Sequence, residues 1–177
     1  IPNLYTTLNN AKREGLYPFG PSTCSSNSNP AKYSDVLWTQ GLMLARGGEA
    51  EGYALLPAAE QAEVSLVHAA APNLKFAQPP EILDVHLLYK AMQTIFCAPV
   101  MQQPQVNTLI LGAWGCGAFG GDPNIYSDLF CRALTEDRLG RFYREVHFAI
   151  PGFGKENSNA EIFRAALRKH GIRFREI

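Results

Sequence analysis

Net charge is the first thing this sequence is short of. Its 16 Lys and Arg are balanced by 16 Asp and Glu, so the formal charge is zero. That excludes binding driven by a basic excess, so neither a direct nucleic-acid partner nor a membrane partner is expected. Long apolar runs are also missing, and no stretch reaches the length of a membrane span. Cysteine is sparse. Cys24, Cys97, Cys116 and Cys131 form no C-x-x-C pair, and His68, His86, His147 and His170 are scattered. No metal site is expected from that spacing, and the thiols read as free groups in a reducing compartment, hence a cytoplasmic protein. No signal-peptide pattern is visible. There is no Gly-Lys-Ser/Thr, which excludes a Walker A phosphate loop. Internal repeats are absent. At 177 residues and 46% hydrophobic content, the chain reads as one globular domain.

What the chain does have is glycine in one place. Val106 to Leu111 is an apolar run of strand length, rich in branched side chains. It gives way to glycines at 112, 115, 117, 120 and 121, five in ten residues. Asp122-Pro123 closes the loop as N-cap and first helical residue, and 124–134 reads as a helix. A buried strand, a glycine loop and a helix N-terminus make a place for phosphate. Backbone N–H groups approach an anion unobstructed, and the helix dipole adds partial positive charge. Gly115-Cys116-Gly117-Ala118-Phe119-Gly120 spells G-x-G-x-x-G. It lies late in the chain, however, and lacks the acidic residue about twenty positions on that a dinucleotide fold requires.

Taken in order, residues 1–14 carry Leu4, Tyr5, Leu8 and Ala11 at helical spacing, stopped by Gly15. Residues 18–32 read as a surface loop of prolines and small polar residues. Asp35 to Trp38 and Leu42 to Ala45 read as strand on either side of a turn at Gln40-Gly41, with 53–57 a short edge strand. Glu63 to Ala70 reads as a core strand ending in the small residues Ala69-Ala70-Ala71. Residues 79–98 have helical periodicity, with His86 as a packed core histidine and Pro99 as the break. Glu145 to Ile150 is a second apolar strand, 157–169 a helix stopped by Gly171, and Ile172 to Phe174 a last short strand. Alternating strands and helices give an α/β layered domain.

The block Leu111-Gly-Ala-Trp-Gly-Cys-Gly-Ala-Phe-Gly-Gly-Asp122-Pro123 resembles the diphosphate-binding loop of the microbial-type poly(ADP-ribose) glycohydrolases, a branch of the macrodomain superfamily. Tyr33 to Leu37, His68 to Asn73, Val146 to Ile150, Asn159 and Phe163 resemble flanking blocks of that family, so the likeness covers roughly residues 30–170. Position 121 departs from it, being Gly where the family commonly has Asn.

The resemblance implies a three-layer α/β/α fold with a mixed sheet. It implies ADP-ribose, free or on a modified protein, as the ligand, and no cofactor. Gly112, Gly115, Cys116, Gly117, Ala118, Phe119 and Gly120 would hold the diphosphate and terminal ribose, with Asn73 nearby and Phe153 stacking on adenine. It also implies a Gly-Gly-Gly loop followed by Gln-Glu, whose Glu acts as general acid, and neither is in this chain. Gly47-Gly48-Glu49 is no substitute, because it lies between strands in the wrong order. Two readings therefore stand: the C-terminal portion of a glycohydrolase domain that lacks its N-terminal part, or a non-catalytic ADP-ribose reader. The first is favoured because the chain opens abruptly at Ile1 without Met. A third reading, a different nucleotide-phosphate enzyme using Asp122 or Glu156 as acid or base, ranks below both.

Overall fold

The structure is a computed structural model that describes residues 2–17, 34–76, 83–151 and 159–177. These fall into two compact units, Ile1–Pro18 with Leu37–His68, and Phe19–Val36 with Ala69–Ile177.

In the first unit, α1 (Pro2–Arg13) buries Ala11 and half-buries Leu4 and Leu8, while Tyr5, grouped with them by spacing, is 70% exposed. Gly15 ends the helix at φ +70°. Its N–H donates to the Lys12 carbonyl and the Leu16 N–H to the Ala11 carbonyl, a Schellman cap. Strands β1 (Leu37–Leu44) and β2 (Ala62–His68) pair antiparallel. The expected turn at Gln40-Gly41 is instead a bulge inside one continuous strand. Thr39 pairs with Leu66 and Leu42 with Val64, so β1 carries one extra residue, accommodated by Gly41 at φ +70°. The bulge lets Thr39 and Leu42, three positions apart, both be buried. Helix α1 packs on β1. The expectation of a core strand does not hold for β2: Val64 and Leu66 are 40% and 41% exposed, because the helix covers the neighbouring strand. Residues 53–57 form no edge strand. Tyr53 turns at φ 56° and a single bridge joins Arg46 to Leu55.

The second unit carries the glycine loop. Helix α2 (Val85–Gln102) starts with Asp84 accepting the Leu87 N–H at 3.0 Å. Its first turn leaves His86 exposed, so that residue is not a core histidine. Pro99 does not break the helix. It removes one donor within the last turn, and the Gln103 N–H still reaches the Pro99 carbonyl at 2.8 Å. Strands β3 (Thr108–Leu111) and β4 (Glu145–Phe148) pair in parallel, Leu109 opposite Val146 and Leu111 opposite Phe148. Between them runs α3 (Pro123–Thr135), as a parallel pair requires a crossover. Helix α4 (Asn159–Lys169) follows and ends in a second Schellman cap at Gly171, φ +66°. Residues 172–177 form no strand. The expected loop at 18–32 lies outside the described residues. The start of the helix expected at residue 79 also lies outside them.

Phe130 of α3 is fully buried at the centre of this unit. Its ring meets Phe96 of α2 at 6.1 Å, Phe148 of β4 at 5.7 Å, Phe163 of α4 at 6.3 Å and Trp114 of the glycine loop at 6.5 Å. Such edge and tilted pairs add to the burial energy of large apolar rings. Phe130→Ala is expected to lower stability by about 3–5 kcal/mol through cavity formation. Urea unfolding followed by circular dichroism checks this, and a loss below about 1 kcal/mol would show that the site collapses or is not central.

Candidate functional site

The loop leaves β3 at Gly112 and enters α3 at Pro123. Asp122 caps that helix, accepting the Asn124 backbone N–H at 2.8 Å and the Asn124 side-chain amide at 2.9 Å. The capping carboxylate occupies the positive end of the helix, so the anion cradle must come from the loop backbone rather than from the α3 N-terminus.

The glycines divide by task. At Gly115, φ is +80° and an added Cβ would lie 2.2 Å from Tyr126 Cε1; at Gly121 it would lie 2.7 Å from the same ring. Both are glycine so that Tyr126, fully buried, can rise beneath the loop. Gly117 is different: a Cβ there would meet nothing within 4 Å. Packing among the described residues therefore sets no need for glycine at 117.

Three loop N–H groups close internal turns. Cys116 donates to the Ala113 carbonyl at 3.0 Å, Gly120 to Gly117 at 3.1 Å and Gly121 to Gly115 at 2.9 Å. This narrows the sequence expectation, which counted the Cys116 and Gly120 N–H groups as diphosphate donors. The consecutive N–H groups of Gly117, Ala118 and Phe119 donate to no protein acceptor among the described residues, and all three residues are exposed. Consecutive unpaired amides are the composition of an anion nest.

The loop is fixed from several sides. Trp114 donates its indole N–H to the Ala69 carbonyl at 3.1 Å and packs on Tyr126 at 5.9 Å. The Leu74 N–H donates to the Phe119 carbonyl at 3.0 Å, and the Asn159 amide reaches the Cys116 carbonyl at 3.5 Å. Asn73 is thereby brought beside the loop, where its side-chain oxygen accepts the Phe76 N–H at 2.8 Å and closes a turn. Gly112, Gly115, Cys116, Gly117, Ala118, Phe119 and Gly120 thus lie on one loop, with Asn73 in the turn bonded to it. Phe153 and Glu156 lie outside the described residues. Sequence reasoning missed Trp114 and Tyr126 as the supports of the loop. It also missed Lys75, whose stem lies against Gly120, where a Cβ would be 3.0 Å from Lys75 Cβ.

Burial, then the nearby Asp122 charge, pushes the Cys116 thiol up to about 12, and its Sγ lies 3.5 Å from the Trp114 carbonyl. A thiol raised this far is protonated at neutral pH, which lowers its reactivity. A wide cleft of about 1290 Å³ runs along β4 and the C-terminal segment, but no residue of the glycine loop lines it. Its walls carry Arg144, Arg164, Arg173 and Arg175 with Glu145 and Glu176, and Arg164 and Arg175 each reach one of those glutamates.

No family model matches the chain, and no curated protein matches it. Solved structures do. A poly(ADP-ribose) glycohydrolase from Thermomonospora curvata, bound to the inhibitor ADP-HPD, is similar with a TM-score of 0.67 at 21% identity, over 92% of this chain and 57% of that one. One from Deinococcus radiodurans in complex with ADP-ribose gives 0.64 at 22% identity, over 76% and 52%, and its apo form 0.64 over 78% and 55%. The fold is that of the bacterial poly(ADP-ribose) glycohydrolases. The mixed α/β, macrodomain-like reading of the sequence is therefore the fold of this chain. The chain spans a little over half the length of the glycohydrolase structures it matches. Among the described residues, no helix is long and apolar enough to cross a membrane.

Two outcomes follow from the glycine geometry. Gly115→Ala is expected to cost about 2–4 kcal/mol, combining positive φ with the clash on Tyr126, while Gly117→Ala stays within about 0.5 kcal/mol. Thermal melts of both variants compare them directly, and equal losses would contradict the division of tasks. At pH 8, Cys116 is expected to react with iodoacetamide at least about tenfold more slowly in the folded protein than in urea. Mass-spectrometric mapping of the label reads this out, and equal rates would mean the thiol is not buried.

Proposed function

We propose that this protein binds ADP-ribose in the loop from Gly112 to Asp122, and that its intact form is a glycohydrolase removing ADP-ribose from polymer or modified protein. The observation that carries the proposal is the run of unpaired amides at Gly117, Ala118 and Phe119 beside a glycine with open space above it. A diphosphate offers oxygen acceptors to consecutive N–H groups, and charge-assisted bonds of this kind are stronger than neutral ones. Phe119, 39% exposed at the end of the run, packs along the terminal ribose, and the family resemblance gives Phe153 the adenine-stacking role. Asn73 closes the turn that is bonded to the loop. Glycoside cleavage passes through an oxocarbenium-like state and requires a carboxyl acid at the leaving oxygen. No residue of this chain is assigned that role.

The occupied cap at Asp122 favours a second reading. The one carboxylate of the loop holds α3 rather than facing a ligand, which leaves a binding surface without an acid and suits a non-catalytic reader. Incubation with an ADP-ribosylated protein separates the two: release of ADP-ribose means hydrolase, and retention with binding means reader.

Calorimetric titration is expected to give tighter binding of ADP-ribose than of AMP or ribose 5-phosphate. Gly117→Val is expected to weaken ADP-ribose binding at least tenfold while the fold stays intact by circular dichroism, because its side chain fills space that the described residues leave open. Affinity within about threefold of the parent, less than roughly 1 kcal/mol, would place the phosphate elsewhere.

A further inference from the structure

We propose that the open edge of β4 takes an extended peptide of alternating apolar and acidic residues, which adds to β3 and β4 as a further strand. The proposal does not rest on the glycine loop, no residue of which lines the cleft along β4. Among the described residues, β4 pairs with β3 alone. The Glu145 N–H donates to the Asn107 carbonyl at 3.2 Å and the Ala149 N–H to the Leu111 carbonyl at 2.7 Å, which fixes the amides that face β3. Alternation along the strand turns the amides of Val146 and Phe148 the other way. No described residue accepts either of them, and both residues line the cleft of about 1290 Å³. Donors at strand spacing on an accessible edge specify an extended partner rather than a helix.

The walls of the cleft set the side chains of that partner. Phe148 packs on Phe130 and Phe163, so α3 and α4 cover the face of β4 that carries Val146 and Phe148. On that side Phe163, Leu167 and Ile172 give the cleft an apolar lining. Glu145 and His147 stand on the other face. Glu145 is shared by His147 at 3.1 Å, Arg144 at 3.8 Å and Arg175 at 3.9 Å. Arg173 also lines the cleft and pairs with no carboxylate among the described residues. Three arginines thus meet one carboxylate here, and the Arg144 and Arg175 side chains are 75% and 78% exposed. An added strand sends alternate side chains to the two faces, apolar ones toward α4 and acidic ones toward the arginines. A second copy of this chain is disfavoured as the occupant, because its own β4 would bring Arg144 and Arg175 against the same cations.

The test titrates the full chain with the fluorescein-labelled peptide Val-Glu-Val-Glu-Val-Glu-Val, its counterpart with Lys for Glu, and single-stranded oligodeoxythymidylate, read by anisotropy. The acidic peptide is expected to bind at least about tenfold more tightly than the basic one. It should also slow hydrogen exchange at the Val146 and Phe148 amides. Val146→Pro removes one outward donor and leaves the bonds to β3 in place, so affinity should fall at least about tenfold. Circular dichroism checks that variant's fold, and the exchange measurement on the parent does not depend on it. Arg173→Glu should weaken the acidic peptide and strengthen the basic one. Equal affinity for the two peptides overturns the proposal, as does unchanged exchange at Val146 and Phe148. Oligodeoxythymidylate binding as tightly as the acidic peptide overturns it in favour of a general polyanion surface. Sedimentation showing self-association that Val146→Pro abolishes overturns it in favour of a second copy.

Discussion

Everything in the second unit depends on the packing around one aromatic ring. Phe130 touches a side chain from α2, from β4, from α4 and from the glycine loop, and it is completely withdrawn from water. A parallel pair of four-residue strands has little stability of its own. Here the pair is backed by the ring cluster: Phe148 of β4 is packed between Phe130 and Phe163. Tyr143, which leads into β4, is buried and donates its hydroxyl to the Phe96 carbonyl of α2. Its burial pushes the phenol above its ordinary value, so it holds its proton across the working pH range.

The same cluster fixes the candidate site. Trp114 is at once a member of the aromatic core and a residue of the loop, and its indole N–H is anchored on Ala69. Tyr126 supports the loop from below, and two of the glycines exist to admit it. A loop of this composition would otherwise have large conformational freedom to lose on binding. Packing removes that freedom in advance, so the unpaired amides at 117–119 are held before any ligand arrives. Affinity for an anion then does not have to offset the ordering of the loop.

Further from the loop, polar pairs hold the helices. Asp128 of α3 receives Lys169 and His170 at the end of α4, both at 2.8 Å. The hydrogen bonds from Lys169 and then His170 keep its carboxyl below the ordinary range. A carboxyl lowered in the folded state stabilises the fold above its unfolded pKa and loses that contribution as pH falls through the folded value. That contribution of the α3–α4 contact therefore falls away in acid.

The order of helices and strands in the second unit was legible in the residues, because apolar periodicity and helix stops act locally. The caps at Gly15, Asp122 and Gly171 formed where the residue types required them. The glycine block read as an anion loop on composition alone, five glycines in ten residues, yet Gly115 and Gly121 are glycine to admit the Tyr126 ring. What the sequence could not separate was which glycines serve packing and which leave space, since that depends on where Tyr126, eleven residues after Gly115, comes to lie. Nor could it set the β1 bulge, the exposure of β2 and His86, or the pairing that leaves only some of the loop amides free. Local propensities are written in neighbouring residues, so the sequence by itself determined most of the helices and strands and where the glycine loop lies between them. Burial, clash and hydrogen-bond partnership arise between residues far apart in the chain, and these only the tertiary structure decided.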